Sequence, residues 1–237
     1  MKLLQNKQLT KDNTDALQGV FREALTKEKV PDSTWGNDGI EKHVSMGETM
    51  VGQLVNRYLE MPIEPIAIEK EYIYQWSKYI ELNCRIDLIA RFTKTWTTSW
   101  GERIPAGSII IIDHKTSSKK YEIGTVDTAD QLSFYSFVVR EVDMIKESGV
   151  MFQVHLKHDS PKICDYLSSR NDKDIQVLRE KVDYIINAID IGYFSPVFKP
   201  DTCRWCDYRK ECNSFSANKD RMLKEDSEAE KEGFILV

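Results

Sequence analysis

The sequence predicts an α/β fold, a mixed sheet over residues 66–157 flanked by helices. Three observations carry this. Residues 66–76, IAIEKEYIYQW, and 79–92, YIELNCRIDLIARF, alternate apolar and polar side chains with the period of a half-buried strand. Residues 108–115, SIIIIDHK, form a continuous apolar run, the pattern of a strand covered on both faces. Two stretches of helical periodicity, 127–145 and 172–191, follow the strand runs.

The elements can be taken in order. A helical N-terminal region spans 1–65. Its first helix covers residues 9–29, with Leu17, Val20, Phe21 and Leu25 on one face. A turn-rich break follows at 32–38. The second helix covers about 40–59, with Val44, Val51, Leu54, Val55 and Tyr58 inward, and Pro62 and Pro65 end it. The core spans 66–195. Its first three strands are joined by short connections and are expected to be antiparallel neighbours. Residues 93–107, rich in Thr and Trp, make a hairpin-like connection. Asp127 or Thr128 caps the helix of 127–145. Strands at 150–157 and 163–167 follow, the second at a sheet edge. The helix of 172–191 buries Ile175, Leu178, Val182, Ile185, Ile186 and Ile189. A cysteine-rich segment covers 196–217, and a charged tail covers 218–237.

Composition narrows the class. The chain has 237 residues and a net charge of −5, which argues against a protein that coats nucleic acid but allows a local basic groove. No apolar run is long enough to span a membrane. The polar start from Lys2 shows no signal peptide, and the five cysteines are odd in number and clustered late. Reduced thiols in the cytoplasm are the expectation.

The candidate chemistry lies between residues 79 and 135. Asp87 sits within one strand run, and Asp113 and Lys115 end another. Alternation puts Asp113 and Lys115 on one face and His114 on the other. Two carboxylates at adjacent strand ends can hold a divalent cation with a main-chain carbonyl and water. Lys115 can then orient or deprotonate a water, or offset charge on the phosphorane. Gln131 and Tyr135, four apart on a helix, share a face that can brace the lysine or meet a phosphate. This is equipment for metal-assisted attack on a phosphodiester.

In sequence order these residues, I-D-L-I, I-I-D-H-K-T and Q-L-S-F-Y, resemble the PD-(D/E)xK nuclease superfamily. The resemblance covers about 66–212 and is strongest to its RecB-like branch, with CRISPR-adaptation nucleases and phage exonucleases. It implies a restriction-endonuclease-like α/β fold. It places the family's metal aspartate on Asp87, its second acid on Asp113, its lysine on Lys115 and its Q-x3-Y on Gln131 and Tyr135. A frequent family glutamate falls on Glu71. Mg²⁺ or Mn²⁺ is the implied cofactor. Cys84 replaces the family's usual glycine, as a small packing residue.

The branch also carries a metal-facing histidine near the end of its N-terminal helices, and His43 is the candidate. In the resembling enzymes one early and three late cysteines hold a four-iron–four-sulfur cluster. Here Cys203, Cys206 and Cys212 supply the late three, at a spacing that suits a soft metal. No cysteine precedes Cys84. The fourth ligand is open: Cys164, a zinc site with His or Asp instead of a cluster, or a residue of a longer form of the chain.

The implied activity is DNA phosphodiester hydrolysis, as an exonuclease in recombination, repair or phage DNA processing. Single-stranded DNA or duplex ends are the implied partners. Arg85, Lys119 and Lys120 flank the site and can follow a phosphate backbone. The alternatives are a catalytically decayed nucleic-acid-binding protein of the same fold and a metal- or redox-responsive regulator built on the cysteines. The terminal Phe-Ile-Leu-Val can dock into a protein partner, tethered by the charged run before it, fold back onto the chain's own core, or stay disordered.

Overall fold

Five strands make the main sheet of the computed structural model, which describes residues 4, 8–27, 39–157, 161–193, 203, 206–208 and 212. The strands are β1 (Ile63–Ser77), β2 (Ile80–Phe92), β5 (Ile109–Ser117), β6 (Gly149–Leu156) and β7 (Lys162–Ser168), in that spatial order. A two-stranded ribbon, β3 (Trp96–Thr97) and β4 (Arg103–Ile104), occupies the connection between β2 and β5. The helices are α1 (Thr14–Lys27), α2 (Gly39–Glu60), α3 (Asp130–Val142) and α4 (Asp172–Asp190). The pairs β1/β2, β2/β5 and β6/β7 are antiparallel, and β5/β6 is parallel, joined through α3. That parallel step makes the sheet mixed, because a parallel neighbour needs a crossover long enough for a helix.

Contacts divide the chain into two units, one of residues 1–24 and 45–182 and one of 25–44 and 183–237. The first holds the sheet. On one face, Ile89, Ile111, Phe152 and Tyr166 pack with Leu132, Tyr135 and Val139 of α3. On the other, Leu88, Ile112 and Met151 pack with Tyr58 of α2. In the second unit Val44 and Cys203 are buried. The charged tail and the basic and aromatic neighbours of the cysteines (Arg204, Trp205 and Lys210) lie outside the described residues.

Several expectations need correction. Val20, Ile185 and Ile189 are more than half exposed, so helical spacing overstated how far the apolar stripes of α1 and α4 are covered. Neither Asp127 nor Thr128 caps α3. Its N-cap is Ala129, which makes no side-chain cap bond. Instead Arg170, 6% exposed, donates through Nη2 to the carbonyl of Val126 at 2.7 Å and of Ala129 at 3.3 Å, and through Nε to Ser133 Oγ at 2.7 Å. A buried cation from after β7 thus holds the carbonyls of the turn that leads into the helix carrying Gln131, while that helix has no side-chain cap. Strand β1 also begins before Pro65, where a register shift opens the ladder. An edge strand tolerates the missing donor.

Plain alternation fails at one point. Ile68 pairs with Leu88 and Lys70 with Ile86, but Glu69 and Asp87 between them drop out of the ladder. Glu69 has φ +49°, in the left-handed region. Cys84 and Ile86 pack on the α3 face, whereas Leu88, Ala90 and Phe92 pack on the α2 face. The even positions of β2 therefore change sides across Asp87.

Gly149 opens β6 where there is no room for a side chain. A Cβ there would lie 3.0 Å from the Ser168 carbonyl oxygen and 3.2 Å from Ile110 Cδ1. The first of these is main chain in the neighbouring strand and cannot swing away. Gly149→Val is expected to cost about 1–3 kcal/mol by overpacking. The urea midpoint, read with an unchanged denaturant slope, checks it.

Candidate active site

Asp113 ends the isoleucine run of β5 at 2% exposure. The run drives β5 into the sheet centre, and the polar residues follow at its C-terminal end. Asp113 Oδ1 accepts from Gln131 Nε2 at 3.0 Å and from the Tyr135 hydroxyl at 3.3 Å. Gln131 Nε2 also donates to the Tyr135 oxygen at 2.7 Å. Lys115 Nζ donates to Gln131 Oε1 at 2.7 Å and lies 2.8 Å from Asp113 Oδ2 as an ion pair. The four side chains close a ring between β5 and the first turns of α3. The ammonium fixes the Gln131 amide with its oxygen toward Lys115 and its nitrogen toward Asp113.

Asp87 joins this group from β2. The last β2/β5 pair is Leu88 with Ile112, so Asp87 and Asp113 come next, just past the end of the ladder. Asp87 Oδ2 accepts the His114 main-chain N–H at 2.8 Å. The Asp113 carboxyl is raised above its ordinary range, first by burial and also by the Asp87 charge, against the lowering effect of Lys115. Burial likewise pushes the Tyr135 hydroxyl up to about 12, so it stays a protonated donor. Apart from the ion pair, Asp113 Oδ2 has no hydrogen-bond partner.

That combination fits a divalent cation. One buried carboxylate oxygen has only the Lys115 ammonium as its partner, and a second carboxylate repels it from the adjacent strand. Among the described residues no three His, Cys, Asp or Glu side chains gather as a metal-holding group. A cation here would therefore rest on the two aspartates, main-chain oxygen and water.

Four of the remaining candidates, Glu71, Arg85, Lys119 and Lys120, belong to the same unit as this ring. Glu71 is exposed on β1, with Arg85 as its register partner. Arg85 pairs at 3.3 Å with Glu69, both well exposed. Lys119 and Lys120 are exposed on the loop after β5, and Lys120 Nζ lies 5.0 Å from the centre of the Trp100 ring. His43 belongs to the second unit, where its Nδ1 donates to the Gly39 carbonyl at 2.9 Å, one turn back. In the same unit the Cys206 N–H bonds the Cys203 carbonyl at 3.3 Å, with Cys203 buried, Cys206 exposed and Cys212 half-buried.

The opposite face carries polar groups that the sequence did not single out together. His114 Nε2 meets the Tyr58 hydroxyl at 2.8 Å, and its Nδ1 is buried without a partner. The His155 ring centre is 5.9 Å away, and burial lowers both histidines, His155 to about 4. Beside them Asp165, fully buried, is ion-paired with Arg57 and accepts from Gln153 Nε2 at 3.3 Å. Alternation placed His114 on this face, but nothing in the sequence pairs it with a tyrosine 56 positions earlier.

A mixed sheet with two aspartates, a lysine and a Gln/Tyr helix at its strand ends defines a class of nucleic-acid hydrolase folds. The chain belongs to the PD-(D/E)XK nuclease superfamily, whose family model matches residues 1–213. Among solved structures it is similar to a protein described as "Putative exonuclease" from Eubacterium rectale, at 12% identity and a TM-score of 0.46. That match covers 85% of this chain and 70% of the other. It is also similar to a protein described as SSO0001, at 16% identity and a TM-score of 0.41, over 85% of this chain and 96% of the other. No curated protein matches the chain in sequence. Among the described residues no helix is long and apolar enough to cross a membrane.

Proposed function

We propose that the protein is a Mg²⁺- or Mn²⁺-dependent nuclease that hydrolyses DNA phosphodiester bonds. One observation carries the reading. Asp113 is a buried carboxyl with one oxygen tied to Gln131 and Tyr135, while the other faces the Lys115 ammonium without a hydrogen bond. Asp87 and Asp113 would hold the cation, which when bound polarises a phosphoryl oxygen and acidifies water.

The protein's own groups then divide the work. Gln131 and Tyr135 occupy Asp113 Oδ1 and so leave Oδ2 directed at the site. Lys115, held between Asp113 and Gln131, positions the attacking water and offsets charge that builds on the phosphate. Exonuclease action in recombination, repair or phage DNA processing is the finer form of the proposal, and rests on the resemblance of the motifs. A structural metal centre, iron–sulfur or zinc, on Cys203, Cys206 and Cys212 is its second part. The close turn between the first two of these supports it.

The test is cleavage of single-stranded and duplex DNA by the full chain. Cutting should stop in EDTA and return with Mg²⁺ or Mn²⁺. Lys115→Met should lower the rate by about 100-fold or more, with an unchanged circular dichroism spectrum. Lys173→Met, on the exposed side of α4, should cut like the wild type. Undiminished cutting in EDTA would overturn the proposal.

A further inference from the structure

We propose that Trp100 and Tyr121 form a stacking platform for a single strand of nucleic acid that leads to Lys115. This deepens the nuclease reading, and rests on it, by naming the substrate form the site accepts.

A row of aromatic rings runs from the candidate site to the protein surface. Lys115 Nζ lies 5.3 Å from the centre of the Phe152 ring. Phe152 meets Tyr121 edge-on at 6.0 Å. Tyr121 meets Tyr166 at 5.7 Å, and its N–H donates to the Tyr166 hydroxyl at 3.0 Å. Tyr166 meets Trp100 at 5.8 Å. Phe152 and Tyr166 are buried and form a rigid backing, whereas Tyr121 is half-buried and Trp100 is 51% exposed. Trp100 stands at the tip of the β3/β4 ribbon. The tip is held to edge strand β7 by Ser99, whose N–H donates to Asp165 Oδ2 at 3.3 Å and whose Oγ accepts the Asp165 N–H at 2.8 Å.

The chemistry of the row selects its occupant. An exposed indole beside lysines offers a face for a base and a cation for its phosphate. Lys120 Nζ lies 5.0 Å from the Trp100 ring centre and Lys119 is its neighbour in sequence, so two lysines border the platform, with Glu102 and Glu122 also exposed beside it. A duplex buries all but its terminal base faces in its own stack and cannot use such rings along its length. A single strand can, and a row directed at Lys115 would deliver its backbone to the site.

Binding to fluorescein-labelled oligo-dT and to a hairpin-capped duplex, read by anisotropy in EDTA, separates this inference from the nuclease reading, because no hydrolysis is measured. Trp100→Ala should weaken oligo-dT binding about tenfold or more, with duplex binding changed less than about twofold. Trp100→Phe should retain most of the affinity. Trp100→Leu, which keeps an apolar contact to Tyr166 but cannot stack, should behave like alanine and covers the case of a misfolded alanine variant. Lys120→Gln should reduce the salt dependence of binding by about one phosphate contact. Wild-type affinity for oligo-dT in Trp100→Leu, or equal losses on single strand and duplex, would overturn the inference. Failure of the wild type to cut DNA in any metal would overturn the nuclease reading and leave this result standing.

Discussion

Asp113→Asn is expected to lower DNA hydrolysis by at least about 100-fold while leaving the chain as stable as the wild type, or more so, at neutral pH in EDTA. The carboxyl is raised by burial and by the Asp87 charge, in spite of Lys115. A raised carboxyl binds its proton more tightly in the folded chain than in the unfolded one. Its stabilising contribution is complete below the ordinary value of 3.8 and is lost as the pH rises through the raised value. Above that raised value the wild type keeps an anion in a place that burial and the Asp87 charge disfavour. Asparagine removes that cost, and its side-chain oxygen can still accept from Gln131 and Tyr135. Divalent cation should raise the wild-type melting temperature and leave that of the variant unmoved, since only the wild type offers both carboxylates. Melting curves from pH 4 to 8, with and without cation, check both parts. A variant less stable than the wild type at neutral pH in EDTA would show that the carboxylate supports the fold.

Asp165→Ala should have the opposite profile, a loss of about 3–5 kcal/mol of stability. The aspartate is fully buried between Arg57, Gln153 and the Ser99 N–H. Removing it strands the Arg57 guanidinium, whose side chain is 17% exposed. The double change Arg57→Met with Asp165→Leu should recover most of the loss, because the large cost comes from an unpaired buried charge and less from losing the pair itself. Urea unfolding of the two single variants and the double variant measures this. The Ser99 main chain loses its acceptor in the same change, so the β3/β4 ribbon should become the first part of the first unit to exchange amide protons.

Much of this was legible in residue order. Four consecutive isoleucines before Asp113 announce a central strand that ends in polar residues. The two-residue period then separates His114 from Asp113 and Lys115. The spacing of Gln131 and Tyr135 gives a shared helix face, and both meet Asp113. What was not legible depends on partners distant in the chain. Arg170 holds the Val126 and Ala129 carbonyls of the turn into α3 from 44 and 41 positions away, and neither 127 nor 128 caps the helix. The Arg57–Asp165 pair joins residues from α2 and β7, and each alone reads as a surface charge. Ile185 and Ile189 carry the correct period for burial, but period says only that a stripe exists and not that anything covers its far end.

The interruption at Glu69 and Asp87 has a consequence for how this ribbon can change. A regular strand transmits any inserted or deleted residue along its whole length, turning every later side chain to the wrong side. Here the β1–β2 ribbon keeps one register but changes facing at the interruption, between a stretch ending at Ile86 and Lys70 and another beginning at Leu88 and Ile68. A slip in the distal stretch, toward the turn at 78–79, can be absorbed at the break and need not reach the pairing of Leu88 with Ile112 that brings Asp87 beside Asp113. The break isolates the acid from the outer arm of its own strand. Length variation is expected to be tolerated in that arm and to be ruinous between 87 and 92.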